Sequence, residues 1–290
     1  MGLRAKFNLV ILAAFAVGFL AAAIVLYRVF VDDARAQVLQ NARIMMTAAT
    51  AVRKYTADNL DPLLPMTKDG KFVPETVPFF AAQKTFGDVQ AAFAGYRYRE
   101  SALNPTNPAD RAEDWEADII RTFRVDADKT EAVVERDTPT GPALNLARPI
   151  TIRDQACLSC HSTPAAAPAA LTASYGTANG FGWQFHETIG AQIVSVPMTV
   201  PLQIARDAYV TFLSILIAIG GLIFLILNLL LHYLVIMPVK RVSAMADAVS
   251  MGEAGVEVYV KPGRDEISSL SVSFNRMRES LTHAMAMLSR

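Results

Sequence analysis

Residues 155 to 164 read Gln-Ala-Cys-Leu-Ser-Cys-His-Ser-Thr-Pro and hold both cysteines of the 290-residue chain. Cys157 and Cys160 are one helical turn apart, so both thiols fall on one face, and His161 follows directly. Two thiols at that spacing can form thioethers to the two vinyl groups of a porphyrin while the next imidazole meets the iron, the attachment pattern of haem c. The same letters also fit a redox Cys-x-x-Cys pair, half of a zinc site or a disulfide. Zinc takes about four donors, and of the four histidines only His161 and His186 lie between the two long apolar segments with the thiols. A thioredoxin-type motif opens a helix in a βαβ unit, a pattern this chain lacks. The spacing therefore favours covalent haem c, one per chain, held by Cys157, Cys160 and His161.

A histidine on one face of the iron leaves a sixth position. His186, Met45, Met46, Met66 and Met198 are donors on the same side of the membrane, and an open, gas-binding position is the alternative. Each donor also has a plain structural reading: a methionine on a helical stripe packs, and a histidine in a glycine-rich loop is solvated. Arg97, Arg99 and Arg148 are candidate partners for the haem propionates.

The elements that must position this trio begin with a membrane anchor. The composition is 52% hydrophobic and 19% charged, with 27 basic and 27 acidic residues, so no net charge recruits nucleic acid. An uncharged run over residues 9–27 and a second over 209–235 are each long enough, as helices, to cross a hydrocarbon core of roughly 30 Å. Arg4 and Lys6 precede the first run, Asp32 and Asp33 lie beyond it, and Lys240, Arg241 and Arg264 follow the second. The positive-inside rule puts both termini in the cytoplasm and the intervening segment in the periplasm of a bacterial inner-membrane, two-pass protein. Ala34-Arg35-Ala36 resembles a signal-peptidase site, but the charges around it and the long apolar run favour an uncleaved anchor. The expected organisation is a cytoplasmic N-terminus at 1–8, transmembrane helices at 9–30 and 208–236, a periplasmic domain at 31–207 and a cytoplasmic domain at 237–290.

Val38, Ala42, Met45, Ala49, Val52 and Thr56 recur at three and four, predicting a helix that runs outward from the first span until Pro62 and Pro65. Residues 62–80, punctuated by proline, read as extended or turn structure, and "YRYRESA" at 96–102 reads as a strand. "NPTNP" at 104–108 is a loop, and Asp110 to Phe123 is helical. "EAVVERD" and "ALNLARPITI" flank the turn "TPTGP" as a hairpin; "SYGTANGFGWQFHETIG" is a glycine-rich loop before an alternating last strand, "GAQIVSVPM". The fold class is α+β.

"ARIMMTAATAVRKYTADNLDPLL", "VPFFAAQKTF", "YRYRESALNPTNPAD", "WEADII", "ARPI", "CLSCH" and "YGTANGFGWQFHETIGAQIVSVP" together resemble the haem-c-binding, PAS-like domain of cyanobacterial haem proteins and proteobacterial membrane signalling proteins. The resemblance runs from about Ala42 to Met198. It implies a PAS-like antiparallel sheet holding one haem c, with the long N-terminal helix crossing near its distal face, and it makes Cys157, Cys160 and His161 the haem ligands. Some relatives take their sixth ligand from a further cysteine on that helix, which this chain lacks. A donor from the same helix would be Met46 or Met45, with His186 the alternative.

In the tail, Val239, Val242, Ala246 and Val249 follow Pro238. After a connector with Gly252, Gly255 and Gly263, Ile267, Leu270, Phe274, Met277, Leu281, Ala284 and Leu288 form an unbroken heptad seam. Helix, connector and helix after a membrane span resemble a HAMP linker, which implies a parallel four-helix bundle in a homodimer. An amphipathic tail lying on the membrane would carry more cations on one face than Arg276, Arg278 and Arg290 provide. His232 reads as an interfacial polar residue of the second span and His283 as solvated.

The whole predicts a membrane-anchored haem-c sensor that reads redox state or a small ligand in the periplasm and passes it through a HAMP dimer to a separate cytoplasmic partner. The alternative is a membrane-tethered c-type cytochrome for electron transfer. No phosphate loop and no nucleophile and base spacing point to an enzyme.

Overall fold

The computed structural model describes residues 2–253 and 258–288, so Gly255 and Arg290 lie outside the described residues. It divides into two units, residues 28–208 and residues 1–27 with 209–290.

Helix α1 (Leu3–Tyr55) ends in a π turn, Thr56–Leu60. A two-residue hairpin follows, β1 (Thr67–Lys68) with β2 (Lys71–Phe72), and then α2 (Pro78–Ala92), β3 (Arg97–Ala102), α3 (Asp114–Val125), β4 (Ala132–Thr138) and β5 (Gly141–Thr151). The short helices α4 (Leu158–His161) and α5 (Ala169–Tyr175) lead to β6 (Thr188–Pro197). The main sheet is antiparallel throughout, in the order β3-β6-β5-β4.

Side-chain alternation assigns the two faces of this sheet. Leu144, Leu146, Val194, Val196 and Tyr98 pack against Val38, Ala42, Met46 and Ala49 of α1 and Ala82 and Phe86 of α2. Ala147, Ala191 and Ile193 on the other face meet Ile119, Ile120 and Phe123 of α3. Because β6 is covered on both faces, burial is unbroken from Ile189 to Val194, and the alternation expected of that strand does not govern it. Fully burying a side chain such as Phe123 contributes about 2–3 kcal/mol, which fixes α3 on the sheet.

The hairpin β4–β5 and strand β3 form where the sequence predicts. Helix α2 replaces part of a predicted extended segment because Pro78 stands at a helix start, where its missing N–H costs nothing. Helix α3 starts four residues later than expected, where the Glu113 N–H donates to Glu116 Oε2 at 2.9 Å. The stripe of α1 buries Met46 fully and Met45 only partly.

Helix α6 (Thr199–Leu230) begins in the 28–208 unit and, in the other unit, passes through a π turn, Leu231–Ile236, into α7 (Met237–Ser250), and α8 (Glu266–Leu288) follows the connector. The widened turn lies just before Pro238, whose ring cannot join the regular bonding ladder. Two helical runs, Leu3–Leu60 and Thr199–Ser250, are long and apolar enough to cross a membrane, and their apolar stretches are exposed rather than buried as in a soluble core. Asp265 caps α8, accepting from the Ser268 N–H and hydroxyl at 2.7 Å each. Lys261 and Ser268 hold its carboxyl well below the usual carboxylate range.

Candidate functional site

Cys157 closes a 3-10 turn, Gln155–Cys157, and Cys160 and His161 lie on the helical turn α4 that continues it. Asp154 starts this turn by accepting from the Ala156 N–H at 2.9 Å. Both cysteines are free thiols and partly exposed. Ile152, Ala102 and Ile189 form the buried floor beneath them, joined by Ile150, Cys157, Leu158 and Trp183.

The loop before β6 clamps the turn. The Trp183 N–H donates to the His161 carbonyl at 3.2 Å and the Gly182 N–H to the Ser162 carbonyl at 3.0 Å. The Trp183 ring stacks on the His161 imidazole, 3.9 Å between centroids and 16° between planes. His161 Nδ1 lies 2.8 Å from the Gly180 carbonyl oxygen. A carbonyl only accepts, so Nδ1 carries the proton and the Nε2 lone pair stays available. Burial pushes the His161 pKa down against the opposing Gly180 bond, which keeps the ring neutral. A neutral imidazole oriented by a backbone carbonyl is the usual state of a metal-ligating histidine.

Gly180 is itself held from behind. Its N–H donates to Asn104 Oδ1 at 3.3 Å, and the Asn104 amide donates to the Phe181 carbonyl at 3.4 Å. Its φ of +80° suits glycine, and a Cβ there would collide with Thr106.

Burial, followed by the Asp154 charge, pushes the Cys157 thiol up, whereas a nucleophilic Cys-x-x-Cys needs a depressed pKa. Among the described residues no three His, Cys, Asp or Glu side chains form a group that could hold a metal ion by themselves. The residues fit the two-thioether, one-imidazole reading: accessible thiols one turn apart and an imidazole with a free Nε2.

A Tll0287-like family model, described as Tll0287, matches residues 31–197, more than half of the chain. The chain belongs to the Tll0287-like family. A HAMP-domain model matches residues 230–283 behind this Tll0287-like domain. The crystal structure of the cyanobacterial haem protein Tll0287 is 16% identical with a TM-score of 0.43, covering 55% of this chain and 94% of that one. No curated protein matches.

Within the Tll0287-like domain Cys157, Cys160 and His161 lie on one short helical stretch, residues 155–161, and the other candidates lie elsewhere. Met46 and Met198 are buried in the cluster between α1, α2 and the sheet, with Met45 at its edge, and Met66 is exposed. His186 is exposed two residues before β6, at φ +65°, its ring against Phe185. Two of the three candidate propionate partners are already engaged. Arg99 binds Glu113 and the carbonyls of Ala109 and Arg111, and Arg148 binds Glu131.

Sequence reading missed a buried polar chain on the α1 face of the sheet. Arg53 on α1 pairs with Glu100 on β3, the Tyr98 hydroxyl donates to Glu100 Oε1 at 2.5 Å, and Gln192 donates to Tyr98 at 3.1 Å. Burial opposes the Arg53 charge, but the field and hydrogen bond of Glu100 outweigh it and raise the guanidinium pKa. The Arg53 charge also reaches the Cys157 thiol.

Proposed function

We propose that this chain is a membrane-anchored haem-c sensor that reads redox state or a small ligand in the periplasm and relays it through a HAMP dimer to a cytoplasmic partner. The observation that carries this reading is the His161 Nδ1–Gly180 bond beside two accessible thiols, in a chain that continues into a HAMP domain. Cys157 and Cys160 would hold one haem through thioethers, and His161 Nε2 would ligate its iron. When bound, the haem supplies a one-electron iron couple. Gly180, Asn104 and Trp183 fix the imidazole tautomer and plane, and so tune the basicity of Nε2.

Met46 or Met45 is the proposed sixth donor, with His186 the alternative. Met46 shares a face of α1 with Arg53, seven residues and about 10 Å of helix rise away, and the Arg53 charge reaches Cys157. The main sheet, in which the first strand pairs with the last, supports a PAS-like domain. Residues 31–207 form this periplasmic domain, residues 9–30 and 208–236 span the bacterial inner membrane, and residues 1–8 and 237–290 are cytoplasmic. The flanking charges support that orientation.

HAMP domains typically form dimers. In α8 the seam residues Leu270, Met277 and Leu281 are about half exposed within one chain, as a surface awaiting its partner helix would be. Electron transfer alone has no use for such a seam. The test is disulfide cross-linking of single cysteines placed along Ile267–Ala284 in membranes, with the haem held oxidised or reduced. A sensor gives a pattern that changes with haem state; an identical pattern in both states, with rapid electron exchange to a periplasmic donor, makes the chain a carrier instead.

A further inference from the structure

The buried stripe of α1 has an opposite face that is exposed among the described residues. Gln40, Arg43, Ile44, Thr47, Ala48 and Ala51 line a shallow trough of ≈ 440 Å³ there. Ile44 and, one turn beyond the trough, Tyr55 are each 59% exposed. Gln40, Ile44, Thr47 and Ala51 follow one another at four, three and four, the spacing of a helix seam, with Ala48 beside them. The trough lies wholly within the 28–208 unit.

We propose that this face of α1 packs against the same face of a second copy of the chain, a dimer contact outside the membrane. The proposal rests on the HAMP-dimer reading above and extends it to a different segment. A parallel two-fold pair sets each seam residue near its own symmetry mate, so any charge on the seam would face itself. This seam carries none from Gln40 to Ala51. The one cation at its edge, Arg43, pairs with Glu131 at 2.8 Å. Small side chains at Thr47, Ala48 and Ala51 let two helix backbones approach closely, and Ile44 supplies the apolar knob. Continuity points to the same occupant: α1 is one unbroken helix from Leu3 to Tyr55, and each copy in a HAMP-paired dimer carries an identical seam.

The experiment uses the full chain, matured in membranes, with single cysteines introduced at Gln40, Ile44, Thr47 and Ala51, at Thr50 and Ala57 off the seam, and at Leu281 as a HAMP control. Oxidation is expected to give disulfide dimers at the four seam positions and little at Thr50 or Ala57. Ile44→Glu, which sets two carboxylates face to face, is expected to lower the yield at Ala51→Cys by about tenfold while the absorption spectrum stays unchanged. Cross-linking at Leu281→Cys with none along outer α1 overturns the proposal and leaves the HAMP dimer standing. No cross-link at any position overturns both. Equal yields on and off the seam mean random collision and overturn it. So does protection of Ile44→Cys from a membrane-impermeant maleimide without cross-linking, because lipid or another protein then covers the face.

Discussion

Glu100 is 3% exposed at its side chain, and Arg53 at 27% is its only cationic partner among the described residues. Replacing Arg53 with methionine keeps the packing of the stem and leaves a buried carboxylate with a single donor, Tyr98. Removing one partner of a buried pair typically costs about 3–5 kcal/mol, because the remaining charge cannot regain its water. Against a typical domain stability of about 5–15 kcal/mol, that is a large fraction. Glu100→Gln is expected to cost less, about 1–3 kcal/mol, since Arg53 is close enough to the surface to be hydrated and the amide still accepts from Tyr98. The double variant Arg53→Met/Glu100→Leu is expected to be more stable than Arg53→Met alone, because no charge is left buried. Both tryptophans, Trp115 and Trp183, lie in the 28–208 unit, so fluorescence during urea unfolding of the solubilised full chain reports on this domain alone. Equal losses below about 1 kcal/mol for the two single variants would refute the reasoning, since a solvated pair behaves in that way.

Three further outcomes follow from the same geometry. Gly180→Ala is expected to retain covalent haem but shift its visible spectrum, because a Cβ at φ +80° meets Thr106 and moves the carbonyl off His161; an unchanged spectrum counts against that positioning role. Met46→Leu conserves volume and is expected to cost under about 1.5 kcal/mol in stability, while abolishing the methionine-to-iron charge-transfer band of the oxidised protein; persistence of the band removes Met46 as the ligand. Burial, then the Glu100 charge, raises the Tyr98 pKa, so the folded state keeps this proton while the unfolded chain releases it above about pH 10. The stability from a neutral Tyr98 is thus complete below that pH and falls as pH rises above it. Alkaline urea titrations of Tyr98→Phe are expected to show a shallower loss, and an identical slope contradicts the assignment.

The helical turn under the candidate site was legible from spacing alone. The spacing of Cys157, Cys160 and His161 needs only one helical turn, and the 3-10 turn continuing into α4 supplies it. The hairpin β4–β5 was equally plain, since "TPTGP" between two strand-like runs has few other uses. What escaped depends on contacts distant in sequence. The Gly180 carbonyl that sets the His161 tautomer is a backbone atom 19 residues away, and the residue types around it read only as a glycine-rich loop. Arg53 and Glu100 are 47 residues apart and look like two surface charges until β3 is laid beneath α1. Helix α2 escaped because a proline marks a turn and a helix start alike, and burial of Ala82 and Phe86 decides between them.

The central claim, covalent haem on Cys157 and Cys160, is tested most directly by a pyridine haemochrome spectrum with intact-mass measurement of the full chain from a host that matures c-type cytochromes. The account predicts one haem per chain that survives denaturation and acid extraction, and its loss from Cys157→Ala/Cys160→Ala. A colourless polypeptide with the mass of its bare sequence, or haem that extracts freely, would contradict it.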